Sequence, residues 1–81
     1  MITPKQANIY LVWAKNNKLD PVPVTSRHWN HRFKVLSTAK EIGIGKERTR
    51  QVLAKVLKLL SEEKTISEAT DLILREYEKF N

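Results

Sequence analysis

Apolar positions recur at helical spacing in several stretches of this chain, and polar or proline-containing segments separate them. The clearest stretch spans residues 46–60, where a stripe of aliphatic side chains follows a period of 3.6 residues. The stripe consists of Val52, Leu53, Val56 and Leu60, flanked by Leu57 and Leu59. The opposite side of the same helix carries Glu47, Arg50, Gln51, Ala54 and Lys58. The pattern predicts a helix with one face packed against the domain and the other face exposed.

The residues around the start of this helix have the spacing of a helix-turn-helix unit over residues 37–60. In such a unit a small residue lies at the contact between the two helices, a glycine occupies the turn, and apolar residues of the second helix face the first. These positions are Ala39, Ile42, Gly43, Ile44, Thr49 and Val52. We expect Gly43 to be the pivot, with a positive φ that would cost an ordinary L-residue roughly 1–2 kcal/mol. The first helix of the unit is expected to begin at Ser37 or Thr38, the latter in capping-box spacing with Glu41.

An amino-terminal helix is predicted to begin at Pro4, with Thr3 as its N-cap and Gln6 completing a capping box. It should end near Asn16 and Asn17, because asparagine tolerates the left-handed conformation that often closes a helix. Its apolar side chains lie on two sides. One stripe consists of Ala7, Tyr10, Leu11 and Ala14, and the other side carries Ile9, Val12 and Trp13. Two interpretations remain open, namely central burial within the domain and contact of part of this surface with a second chain.

Residues 18–24 are predicted to form an extended connector, because Asp20 and Val22 each precede a proline and are disfavoured in the helical region. A further helix is expected to follow, with Thr25 or Ser26 as its cap. The core stripe of that helix would consist of Trp29, Phe33 and Leu36.

A last helix is expected near the carboxyl end, with Ser67 as its N-cap and Glu68 and Asp71 near its positive end. One face of this helix is apolar and consists of Ile66, Ala69, Ile73, Tyr77 and Phe80. Core packing and docking on a second subunit would both explain such a face.

Composition favours one small all-α domain of four or five helices. Helix-forming residues dominate the 81 residues, whereas glycine and proline are scarce and cysteine is absent. His28 and His31 are three residues apart and lack an obvious third ligand, so we expect a surface position near phosphates and no metal site. The sequence contains no phosphate loop, nucleophile motif or calcium loop, so we expect no catalytic residues, no cofactor and no enzyme activity. No apolar run approaches the length of a membrane span, and we expect a cytoplasmic protein.

Charge is unevenly distributed along the chain. Residues 27–58 contain nine Lys and Arg against two Asp and Glu, whereas residues 59–81 contain three against six. The whole chain carries a formal net charge of +6. A basic segment followed by an acidic one suits an anionic partner on one side of the domain, and nucleic acid is the commonest such partner.

The run KERTRQVLAKVLKLL, residues 46–60, resembles the recognition helix in the fourth region of bacterial primary sigma factors. The matching residues are Glu47, Arg48, Arg50, Gln51, Ala54, Lys55, Leu57 and Leu60. Two positions depart from the family pattern, since Lys46 stands in place of an arginine and Thr49 in place of a buried aliphatic residue. The resemblance covers about a third of the chain. In that family the helix reads a promoter element in the major groove.

The resemblance therefore implies DNA contacts for the first turns of this helix. We expect base-edge contacts from Lys46, Glu47, Arg50 and Gln51. We expect phosphate contacts from Arg27, Arg32, Arg48, Lys55 and Lys58. The predicted function is transcriptional regulation through double-stranded DNA, in a small format that suggests a phage-type or plasmid-type regulator.

A second function class remains open, namely a protein-interaction module that binds RNA polymerase or another transcription factor with little DNA contact. The two-sided amino-terminal helix favours it and also favours a homodimer. An RNA-binding helical protein is a weaker alternative, because the expected aromatic platform and loop signatures are absent.

Overall fold

Four α-helices make up the described part of the protein, and no strand occurs there. The computed structural model describes residues 2–17, 35–63 and 65–80, apart from the side chain of Ile66. The helices are α1 (Pro4–Asn16), α2 (Val35–Ile42), α3 (Lys46–Ser61) and α4 (Ile66–Phe80). The predicted all-α class is confirmed. Helix α1 packs against each of the other three, and α2 also packs against α3. None of these helices is both long and apolar enough to cross a membrane.

Helix α1 begins as its sequence predicts. The hydroxyl of Thr3 accepts a hydrogen bond from the Gln6 backbone N–H at 3.2 Å, and Gln6 Oε1 accepts one from the Thr3 backbone N–H at 3.0 Å. The helix ends at Asn16, but Asn17 has φ −96° and is not left-handed. Its backbone N–H and its side-chain amide both donate to the carbonyl of Trp13, at 3.1 and 2.9 Å, so the end of the helix is hydrogen-bonded without a positive φ.

Central burial accounts for most of the apolar surface on the two sides of α1. Ala7, Ile9, Tyr10, Trp13 and Ala14 are all buried, and the rings of Tyr10 and Trp13 lie 5.8 Å apart. Ile9 and Trp13 therefore belong to the core of this domain and are not available to a second chain. Val12, together with Leu11, is only half-buried and stays at the surface.

Helix α2 begins earlier than its predicted caps. Val35 is buried and starts the helix, so neither Ser37 nor Thr38 is the N-cap. Thr38 lies inside the helix, fully buried, where its hydroxyl accepts a hydrogen bond from the Asn16 side-chain amide at 3.2 Å. The core assignment of Leu36 was wrong, since its side chain is 51% exposed. The buried face of α2 is formed by Val35, Thr38 and Ala39, and Leu36 points away from it.

The turn between α2 and α3 contains the glycine conformation that the sequence predicts. Gly43 has φ +87°, and its backbone N–H donates to the carbonyl of Ala39 at 2.8 Å. Ala39 itself is buried, as expected for the small residue between two helices. Gly45 then precedes the first residue of α3 in an extended conformation without a side-chain cap.

Helix α4 begins two residues before its predicted start. The N-cap is Thr65, whose hydroxyl accepts a hydrogen bond from the Glu68 backbone N–H at 3.1 Å, and Ser67 lies in the first turn. Thr65 and Glu68 have the same capping-box spacing that starts α1. Along the predicted apolar face, Ala69 and Ile73 are buried.

The other end of that face is less covered. Tyr77 is half-buried, Phe80 is 45% exposed, and their rings lie 6.5 Å apart. The last turn of α4 therefore leaves aromatic surface accessible.

Candidate nucleic-acid interface

Helix α3 separates an apolar face from a polar one. The predicted stripe is confirmed, because its buried residues are Thr49, Val52, Leu53, Val56, Leu57 and Leu60. Thr49 replaces an aliphatic residue of the pattern without leaving an unsatisfied group. Its hydroxyl donates to the carbonyl of Gly45 at 2.9 Å, and its methyl group can pack in the core.

The polar face of α3 is strongly cationic. Its exposed basic residues are Lys46, Arg48, Lys55 and Lys58. None of these four forms an ion pair with another residue in the described ranges. Glu47 is the single carboxylate that α3 contains, and Gln51 is exposed between the cations. This face therefore presents hydrogen-bond donors and positive charge to solvent.

Arg50 and Glu47 form a pair within the first turns of α3. The Nε of Arg50 donates to both carboxylate oxygens of Glu47 at 3.1 Å, and Nη2 donates to Oε1. The hydrogen bond with Glu47 and the attraction of its negative charge raise the pKa of Arg50 above its ordinary value. The structure thus joins two residues that were expected to contact bases separately.

A recess lies between α1 and the polar face of α3, and we call it the α1–α3 recess. Its volume is about 270 Å³, and it is lined by Gln6, Arg48, Gln51, Val52 and Lys55. The sequence assigned Gln6 only to the capping box of α1. Nothing in the local pattern connects Gln6 with α3, because the two meet through the packing of α1 against α3.

Two adjoining clefts of about 390 Å³ each lie elsewhere on the surface and share Asn8, Val12 and Glu41. We call them together the apolar groove. Its accessible apolar lining consists of Leu11, Val12, Ile42, Ile44, Leu74, Tyr77 and Phe80. Lys15 Nζ and Glu41 Oε2 lie 3.9 Å apart at its edge, where both side chains are exposed.

Several predicted residues lie outside the described ranges. They are Arg27, Arg32, His28 and His31, together with the connector at residues 18–24 and the helix predicted from Thr25 or Ser26 with Trp29 and Phe33. Within the described ranges, no group of three or more His, Cys, Asp or Glu residues is arranged to hold a metal ion.

Comparison with known proteins found no similarity on which to base a function. No protein-family model, curated protein or solved structure matches this chain.

Proposed function

We propose that this protein is a double-stranded DNA-binding transcriptional regulator in which α2, the turn at Gly43 and α3 act as a helix-turn-helix. The observation that carries the proposal is the division of α3 into two faces. One face is buried in the core, and the other presents Lys46, Arg48, Lys55 and Lys58 without ion-pair partners among the described residues. A helix of this kind can enter the major groove while its cations approach phosphates on both sides.

The pair between Glu47 and Arg50 suits base recognition better than two independent residues would. An arginine guanidinium has five N–H groups, and the contacts with Glu47 use the Nε edge. The N–H groups on the other edge remain available for a bidentate contact with guanine O6 and N7. In this proposal Arg50 reads the base, and Glu47 holds the guanidinium in position.

The remaining residues of the interface divide by their place along α3. Lys46 stands at the first turn, next to the pair, where it can reach a base edge or a phosphate. Lys58 lies three turns further along, where a helix bound in the groove begins to leave the bases. Arg48 and Lys55 line the α1–α3 recess, and in this proposal they contact phosphates. A regulator of this kind would act in the cytoplasm.

Selection of bound duplexes from a random pool tests the proposal. We expect a common sequence to emerge, and the affinity for it should fall by about 10³-fold between 50 and 200 mM salt if six or so phosphates are contacted. Failure to enrich any duplex, or an affinity for the enriched duplex that does not depend on salt, would contradict this function.

A second candidate function is a protein-interaction module that binds RNA polymerase or another transcription factor. The apolar groove favours it, because Leu74 is 37% exposed and Phe80 is 45% exposed there. The groove could also hold a second copy of the chain in a homodimer. The salt dependence of the binding affinity distinguishes the two candidate functions. Salt weakens DNA binding steeply, whereas the affinity of an apolar protein interface should change little.

A further inference from the structure

The polar side chains around the α1–α3 recess can all donate hydrogen bonds, and none of them carries a negative charge. Arg48 and Lys55 contribute positive charge, Gln6 and Gln51 contribute amide groups, and no carboxylate lines the recess. Neither Arg48 nor Lys55 is paired with an acidic side chain within the described residues. Such a set of donors suits a small anion with several acceptor oxygens.

The amide of Gln6 is held in one orientation by the capping box of α1. Its Oε1 accepts from the backbone N–H of Thr3 at 3.0 Å, so the acceptor end of the amide faces the helix start. The Nε2 end is left as the donor, and it has no hydrogen-bond partner among the described residues. Gln6 can therefore donate to a ligand without disturbing the cap.

Two further features favour a negative charge at this place. The first turn of α1 contains no acidic residue, and this end of a helix carries a partial positive charge. Arg48 offers a planar fork of N–H groups, which matches two oxygens of a tetrahedral oxyanion. The donors come from two helices that are packed together, so the packing of the domain sets the distance between them.

We infer that the α1–α3 recess is a binding site for one phosphate of the DNA backbone, which Gln6, Arg48, Gln51 and Lys55 would hold. We call this site the phosphate seat. The inference rests on the proposed function and deepens it, because α1 then contacts DNA together with α3. Gln51 contacts the backbone in this arrangement and does not read a base edge. A phosphate bound in the seat sets the position of one DNA strand along α3. This position determines which base pairs Arg50 can reach.

Two variants with the same change in charge test the seat. Gln6→Glu keeps an acceptor for Thr3 and so preserves the capping box, but it replaces the donor with a carboxylate. Lys5→Gln removes one positive charge from the same turn of α1, where Lys5 lines the apolar groove and not the recess. Both variants should fold as the parent does, which circular dichroism and thermal unfolding will verify.

Binding of inorganic phosphate is measured by NMR at constant ionic strength, with chloride as the reference anion. We expect phosphate to shift the Arg48 Nε–H and Gln51 side-chain amide signals in a saturable way in the parent and in Lys5→Gln. Gln6→Glu should abolish that shift. Signals that respond equally to chloride, or a response unchanged in Gln6→Glu, would overturn the seat.

Binding of the selected duplex is measured with the same proteins. Gln6→Glu should weaken it about tenfold, the effect of losing one hydrogen bond to a charged group, and Lys5→Gln about twofold. Equal losses in the two variants would overturn the seat while leaving DNA binding intact. If the parent bound no duplex but the phosphate response still depended on Gln6, the proposed function and the assignment of the recess to DNA would fail, and only a binding site for free phosphate would remain.

Discussion

Arg50 Nε lies 3.1 Å from each carboxylate oxygen of Glu47, one turn earlier on α3. The two residues are three positions apart, which places them side by side on the helix surface. The carboxylate and guanidinium thereby constrain each other at the end of α3 that follows the turn. Their mutual position, more than either residue alone, defines what this part of the surface can recognise.

Removing the carboxylate of Glu47 should raise the affinity for DNA in general and lower the specificity for the selected sequence. In Glu47→Gln, the guanidinium of Arg50 loses its charged partner, and the DNA-facing surface loses one negative charge. We expect binding of random duplexes to rise about twofold, while the preference for the selected sequence declines. Competition binding measures both effects. Glu62→Gln, with the same charge change just beyond α3, is the control, and an identical result in the two variants would remove Glu47 from recognition.

The turn at Gly43 should depend on backbone conformation alone. A Cβ added there would meet nothing within 4 Å, so the cost of a side chain comes from φ +87° and not from a clash. We expect Gly43→Val to lower the free energy of unfolding by about 1–3 kcal/mol. Gly43→Asn should lose clearly less, because asparagine tolerates the left-handed region. Denaturant unfolding of both variants provides the test, and equal losses would contradict a conformational origin.

The two buried threonines should respond to valine in opposite directions. The Gly45 carbonyl accepts from both the backbone N–H and the hydroxyl of Thr49, so it keeps a partner when the hydroxyl is removed. Thr49→Val should therefore stabilise the domain by up to about 1 kcal/mol.

Thr38→Val is the matched comparison. The hydroxyl of Thr38 accepts from Asn16 and connects α2 to the end of α1, so its loss should destabilise the domain by about 1 kcal/mol. Thermal and denaturant unfolding measure both values. If Thr49→Val destabilised the domain as much as Thr38→Val does, the prediction would be wrong. The hydroxyl of Thr49 would then be needed for stability although the Gly45 carbonyl keeps a second donor without it.

Self-association should depend on the apolar groove. Since Ile9 and Trp13 are buried in the core, a homodimer would use Val12 and Leu74. We expect sedimentation at high micromolar concentration to show a dimer that Leu74→Glu dissociates. Leu36→Glu changes a leucine that is 51% exposed and does not line the groove, and it should leave the dimer intact. A parent that stays monomeric would exclude this use of the groove.

Local sequence rules were sufficient wherever one short segment determines the structure. Thr3 with Gln6 fixes the start of α1, Gly43 fixes the turn, and the aliphatic stripe fixes the buried face of α3. The same rules failed where two local solutions compete. Thr65 and Ser67 are both acceptable caps for α4, but only Thr65 has a glutamate at the capping-box position, a signal that the prediction of Ser67 overlooked.

Tertiary packing determined what the sequence pattern missed. Thr38 satisfies the rules for an N-cap, but burial of Val35 adds a turn in front of it and α1 uses its hydroxyl. Gln6 and Arg48 line the same recess because α1 packs against α3, and no short-range sequence pattern contains that information. The pair of Glu47 and Arg50, in contrast, follows from spacing along one helix and was accessible to the sequence.

The central claim is that the polar face of α3 reads DNA, and comparison of Arg50→Ala with Lys58→Ala tests it most directly. Each variant removes one positive charge from α3, and neither side chain belongs to the buried stripe, so both should stay folded. Affinities of the parent and both variants are measured for the selected duplex and for single-base-pair variants of it. We expect Arg50→Ala to weaken binding of the selected duplex roughly 10- to 100-fold and to abolish discrimination at one base pair. Lys58→Ala should weaken all duplexes similarly and lower the salt slope by about one. If Arg50→Ala bound every duplex as well as the parent does, α3 would not be a recognition helix.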